Sequence, residues 1–75
     1  MIAELESVVL TVDLPEQRLQ RGDVGTVVLT HDGRGYEVEF VTLDGETLAV
    51  VSLTPDQVRP TAPGEIAHVR PVEAA

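Results

Sequence analysis

Two histidines, two serines, thirteen carboxylates and five arginines are the side chains of this 75-residue sequence with the means to do chemistry, and no cysteine or lysine joins them. His31 beside Asp32 could start a metal or base site. A ligand set, however, wants three or four converging groups and a further partner for the histidine. Around His31 the sequence identifies no such partner, and a solvated histidine flanking a turn accounts for it. His68 sits in a weakly patterned C-terminal stretch. Glu37 and Glu39 could work as an acid and base pair only inside a pocket that pushes their pKa values apart. Ser7 and Ser52 lie neither in a Gly-x-Ser-x-Gly elbow nor beside a lysine. Gly22, Gly25, Gly33, Gly35, Gly45 and Gly64 form no phosphate-cradling loop, because no helix pattern follows them. No catalytic residue, cofactor or metal is expected. A small-ligand or divalent-metal-binding domain built around His31, Asp32 and nearby carboxylates is the alternative reading.

Charge narrows the partners. Thirteen acids against five arginines give a net charge of −8, which repels phosphate backbones and anionic membranes at long range. Arg18, Arg21, Arg34, Arg59 and Arg70 have no aromatics interleaved for base stacking, so nucleic-acid binding is not expected. No apolar run approaches the roughly 18 to 20 residues of a membrane span, and the opening Met1-Ile2-Ala3-Glu4-Leu5 lacks the basic head of a signal peptide. With no cysteine, a reducing cytoplasm is the expected location.

Thirteen valines and seven threonines favour pleated strands over helices. Apolar runs at 7–14, 24–30, 36–43 and 47–54 are separated by turn chemistry, the pattern of a small barrel or sandwich. Thr54-Pro55-Asp56-Gln57 reads as a capped helical turn before a short fifth strand at Val58. Asp32-Gly33 and Asp44-Gly45 each suit a two-residue type I′ hairpin turn. The second turn pairs Val41 with Leu48, Phe40 with Ala49, Val38 with Val51 and Tyr36 with Leu53. The first pairs Leu29 with Tyr36, Val27 with Val38 and Gly25 with Phe40. One core face follows: Val27, Leu29, Tyr36, Val38, Phe40, Ala49, Val51 and Leu53. Val8, Leu10, Val12, Leu14 and Val58 complete it. A one-residue slip would bury Glu37 and Glu39, so the alternation Tyr36-Glu37-Val38-Glu39-Phe40 resists it.

The polar stretch 15–22 is expected to be a long surface loop. One long loop, two tight hairpins, a helical turn and a short last strand make a five-stranded SH3-like barrel over residues 1–60, all β. Residues 61–75 form a tail or an additional edge strand. The register also leaves Val28, Val41, Leu48 and Val50 on the outer face of the sheet, where apolar side chains ask for a cover. Either the tail folds over Val41, Leu48 and Val50 through Ile66 and Val69, or a partner or second copy docks there. The expected function is a non-catalytic protein-interaction or accessory module, with an acidic inhibitor of a basic protein as its more specific version. Its contact residues are Val28, Val41, Leu48 and Val50, or the loop residues Glu16, Arg18 and Arg21.

The series Leu5-Glu6-Ser7-Val8-Val9-Leu10-Thr11-Val12-Asp13-Leu14-Pro15-Glu16, Arg21-Gly22-Asp23-Val24-Gly25-Thr26-Val27-Val28, Tyr36-Glu37-Val38-Glu39-Phe40 and Val58-Arg59-Pro60 resembles a small uncharacterised bacterial family, domain of unknown function four-nine-two-six. Within this series, Leu14-Pro15, Gly22-Asp23-Val24-Gly25-Thr26-Val27-Val28 and Tyr36-Glu37-Val38-Glu39-Phe40 are similar to the SH3-like barrel of the nitrile hydratase β subunit and, more weakly, to KOW modules. The first family has no activity to transfer. The nitrile hydratase resemblance implies the fold and the idea of a non-catalytic partner barrel, because there the metal and its cysteine ligands belong to the other subunit. KOW modules often bind RNA through basic loops, which this acidic chain lacks.

Overall fold

A computed structural model describes residues 2–72. It is all β: five antiparallel strands, β1 (Ser7–Leu10), β2 (Val24–Thr30), β3 (Tyr36–Val41), β4 (Thr47–Leu53) and β5 (Val58–Pro60), form one sheet in the order β4-β3-β2-β1-β5. Two 3₁₀ turns, Pro15–Gln17 and Pro55–Gln57, are the helical content of the described residues. The second falls where the sequence puts it, directly before β5, and is closed by a capping box between Thr54 and Gln57. Among the described residues no second layer of secondary structure covers the sheet. Its apolar face is therefore hidden by curling: Val8, Leu10, Val27, Tyr36, Val38, Phe40, Leu53 and Val58, drawn from all five strands, make one buried cluster. The curl stays open, since β4 and β5 are both edges with no ladder between them.

The β3–β4 register is the one derived from Asp44-Gly45 for most of its length: Tyr36 faces Leu53, Val38 faces Val51 and Phe40 faces Ala49. The turn itself differs. Gly45 N–H donates to the Thr42 carbonyl and Thr42 N–H to that of Glu46. Gly45 alone has positive φ (96°), so this is a three-residue loop built on a type I turn. The extra loop residue shifts the first pair to Val41 opposite Thr47, and a bulge at Leu48 restores the register. Leu48 is thereby turned inward against the core, together with Ala49.

The other hairpin repeats the theme. Asp32 (φ 51°) and Gly33 (φ 80°) do form the expected type I′ turn, but His31 N–H donates to Gly35 rather than Arg34. Leu29 then faces Glu37 and Thr30 faces Tyr36, until a bulge between Val27 and Leu29 resets the pairing at Val27 with Val38. Leu29, expected in the core, lies outside at 46 % exposure.

The first loop is a folded piece, not a plain excursion. Leu14 and Leu19 exchange two backbone hydrogen bonds around the Pro15–Gln17 turn, and Leu19 enters the core at 4 % exposure. Ile2 joins it from the other end of the chain. β1 ends at Leu10, so Val12 lies outside any strand; Leu14 still packs against the core. Residues 61–72 form no ladder, and the rest of the expected tail, 73–75, lies outside the described residues.

Candidate functional site

The outer face of β2, β3 and β4 is laid out by the same registers. Residues directly opposite one another share a face, so Thr26, Glu39 and Val50 form one row, Leu29, Glu37 and Ser52 a second, and Val41 with Thr47 a third. Val28, Leu29, Val41 and Val50 are all exposed, Val50 at 55 %. Leu48 leaves this set because its bulge turns it to the core. Leu29 replaces it, and sequence reasoning missed that because nothing in the apolar run Val27-Val28-Leu29 marks the bulge.

The two carboxylates of this face are held by hydroxyls. Glu37 Oε2 accepts hydrogen bonds from Ser52 Oγ (2.6 Å) and, across the hairpin, from His31 Nε2 (2.8 Å). The Ser52 hydroxyl first, then His31, pulls the Glu37 pKa below the ordinary carboxylate value. Glu39 accepts from Thr47 Oγ1 at 2.7 Å. Histidine, glutamate and serine thus meet, but in an order that does not activate a nucleophile: the acid stands between the other two, so the imidazole has no hydroxyl proton to take. His31 therefore has the partner its sequence neighbours did not reveal, six residues away and across the turn. Among the described residues no three His, Asp or Glu side chains converge as a metal site would require; Asp32 occupies its turn.

The loop residues Glu16, Arg18 and Arg21 are all exposed. Arg18 caps the first 3₁₀ turn in the left-handed conformation. Arg21 N–H donates to Asp13. Beneath them Asp23 accepts from Gln20 N–H and pairs with Arg70, whose guanidinium also donates to the Arg18 carbonyl. This fastens the C-terminal segment to the first loop. It does not lay that segment over the outer face: Ile66 is 94 % exposed and Val69 also stands out. Instead residues 67–72 form one wall of a groove of about 510 Å³, with Phe40, Val41, Leu43 and Leu48 among those opposite.

The β3–β4 hairpin and the turn after it carry no basic residue of their own; His31, from the end of β2, is the basic group that reaches Glu37. Between Gly35 and Val58 the sequence has five acids, Glu37, Glu39, Asp44, Glu46 and Asp56, and no arginine, lysine or histidine. Arg59 and Arg70 are committed to Glu65 and Asp23. No helix is long and apolar enough to cross a membrane among the described residues.

The family model described as "Domain of unknown function (DUF4926)" matches residues 4–60, and the chain belongs to that family. Comparison with curated proteins and with solved structures gives no match.

Proposed function

We propose that this member of the family is a non-catalytic interaction module of the bacterial cytoplasm that binds a basic protein. The observation that carries the reading is the outer sheet face, where Val28, Leu29, Val41 and Val50 stand uncovered beside the β3–β4 stretch, whose residues 36–57 hold five acids and no arginine or lysine. Such a face combines apolar burial with long-range attraction for a cationic partner. The likeness of the Arg21-to-Val28 series to a non-catalytic barrel supports the same reading. An acidic inhibitor that neutralises a basic enzyme is its most specific form.

The test is capture from a lysate on immobilised wild-type protein and on a Val50→Lys variant. Lysine removes the apolar surface while facing Glu39, so the fold is kept. A basic protein retained by wild type and lost with the variant is expected; equal capture by both overturns the outer face as the site. The groove beside residues 67–72 favours a second reading, a small apolar ligand. The groove lies apart from His31 and Asp32, around which the metal reading is built, and titration calorimetry with apolar acids and divalent metals tests both.

A further inference from the structure

The two edges of the sheet differ in character. β5 is three residues long, carries the charge of Arg59 and ends on Pro60, all of which blunt an edge against pairing. β4 is seven residues long, Thr47-Leu48-Ala49-Val50-Val51-Ser52-Leu53, with no charge and no proline. Its one interruption is the bulge at Leu48. Residues 49–53 remain as a regular run, about 17 Å of extended backbone.

On one side this run is laddered to β3. On the other, among the described residues, no backbone hydrogen bond outside the sheet ladder reaches it. Every second residue of an antiparallel strand turns its N–H and C=O away from its partner, so the edge offers a row of unused donors and acceptors. Ala49 and Val51 face the core yet stay partly exposed, as side chains do where the next strand is missing.

We infer that β4 is a strand-addition site for an extended, cationic segment of a partner protein, an inference that rests on the interaction-module reading above. Main-chain pairing supplies the affinity and side chains at alternate positions the selectivity. Charge decides the occupant. A second copy would bring its own net charge of −8 against the acidic rows of the first. A segment with lysine or arginine on its outward face instead reaches the carboxylates of Glu37 and Glu39, one strand in. Those rows lie about 10 Å from an added strand, a gap that a long cation and a glutamate span together. Its alternate apolar residues fall on the opposite face, beside the partly exposed Ala49 and Val51.

The probe is a short capped peptide alternating lysine and valine, titrated into isotope-labelled protein and followed by amide NMR. Two further peptides carry N-methyl groups on one or the other alternate set of residues. Both bear the same conformational burden, but only one set of amides faces β4. The expected result is shifts concentrated at residues 49–53, and loss of at least about tenfold in affinity for one methylated peptide but not the other. Equal binding or equal loss for the two overturns strand addition, while loss of the parent peptide on the Val50→Lys protein still upholds the interaction surface. Equal affinity for a peptide of alternating glutamate and valine overturns the cationic preference, and absence of binding by the lysine peptide overturns the inference as a whole.

Discussion

Gly25 is the position where an added methyl group has nowhere to go. A Cβ there would lie 2.6 Å from Val38 Cγ1, 2.8 Å from Phe40 Cε1 and 2.9 Å from the Glu39 carbonyl. Val38 and Phe40 are both buried, and the carbonyl belongs to the β3 backbone, so none of the three retreats freely. Gly25 does not need the left-handed region, since its φ is not positive; the cost of Gly25→Ala is therefore steric. Overpacking of this kind costs about 1–3 kcal/mol. In a domain of this size that corresponds to a fall in Tm of about 5–20 °C. Thermal and urea unfolding followed by circular dichroism measure it. Gly22→Ala is the contrast, because its surroundings are empty and only its φ of 96° resists; about 1 kcal/mol of backbone strain is expected. A sharper test is the pair Gly25→Ala with Val38→Ala. If crowding is the cause, the second substitution makes room for the first, and the double variant is more stable than the sum of the two costs implies by about 0.5 kcal/mol or more. An unchanged Tm for Gly25→Ala, or strictly additive costs, refutes the reasoning.

Leu48→Ala is expected to cost about 1–2 kcal/mol and Val50→Ala within about 0.5 kcal/mol by urea unfolding, since one packs on the core and the other does not. Arg70→Ala should speed hydrogen exchange across residues 67–72 and in the loop it grips through Asp23, with a stability loss of about 1 kcal/mol for this half-buried pair. Glu65 is held at about 2 by the Arg59 guanidinium and the Ala62 N–H, against an ordinary 4.5. A carboxylate lowered in the folded state stabilises it fully above the ordinary value, and loses that contribution as pH falls toward 2. Glu65→Gln should flatten that limb of an acid titration followed by unfolding. Ser52→Ala should raise the Glu37 pKa back toward its ordinary value in a carboxyl NMR titration, because the Ser52 hydroxyl is the largest cause of its depression.

Much of the sheet was legible because charge and turn chemistry fix phase. Glu37 and Glu39 cannot face inward, and Asp-Gly marks the hairpins, so Val27 with Val38 and Phe40 with Ala49 could be paired from the sequence alone. Phase is lost where several apolar residues run together. Val27-Val28-Leu29 and Leu48-Ala49-Val50-Val51 look the same whether or not a residue bulges out, and both bulges fall in them. That is why Leu29 and Leu48 exchanged faces. Leu19 was hidden differently: a single leucine in a polar stretch has no periodicity, and only the paired bonds to Leu14 bring it inside. The His31–Glu37 contact was hidden by the turn itself: a strict two-residue turn puts His31 and Glu37 on opposite faces, and only the wider closure at Gly35 brings them together.

β1 stands next to β5 in space although some fifty residues separate Val8 from Pro60 along the chain. During folding, the hairpins of β2, β3 and β4 are local and close early, whereas β1 can be flanked on both sides only after the last strand has arrived. In that interval Val8, Val9 and Leu10 form an apolar border open to any neighbour. The partly assembled chain is then most apt to associate with another, and the expected product is a pair of molecules that have exchanged β5. Arg59 and Pro60 make that strand a poor template once it is in place, so the exchange is confined to the time before it docks.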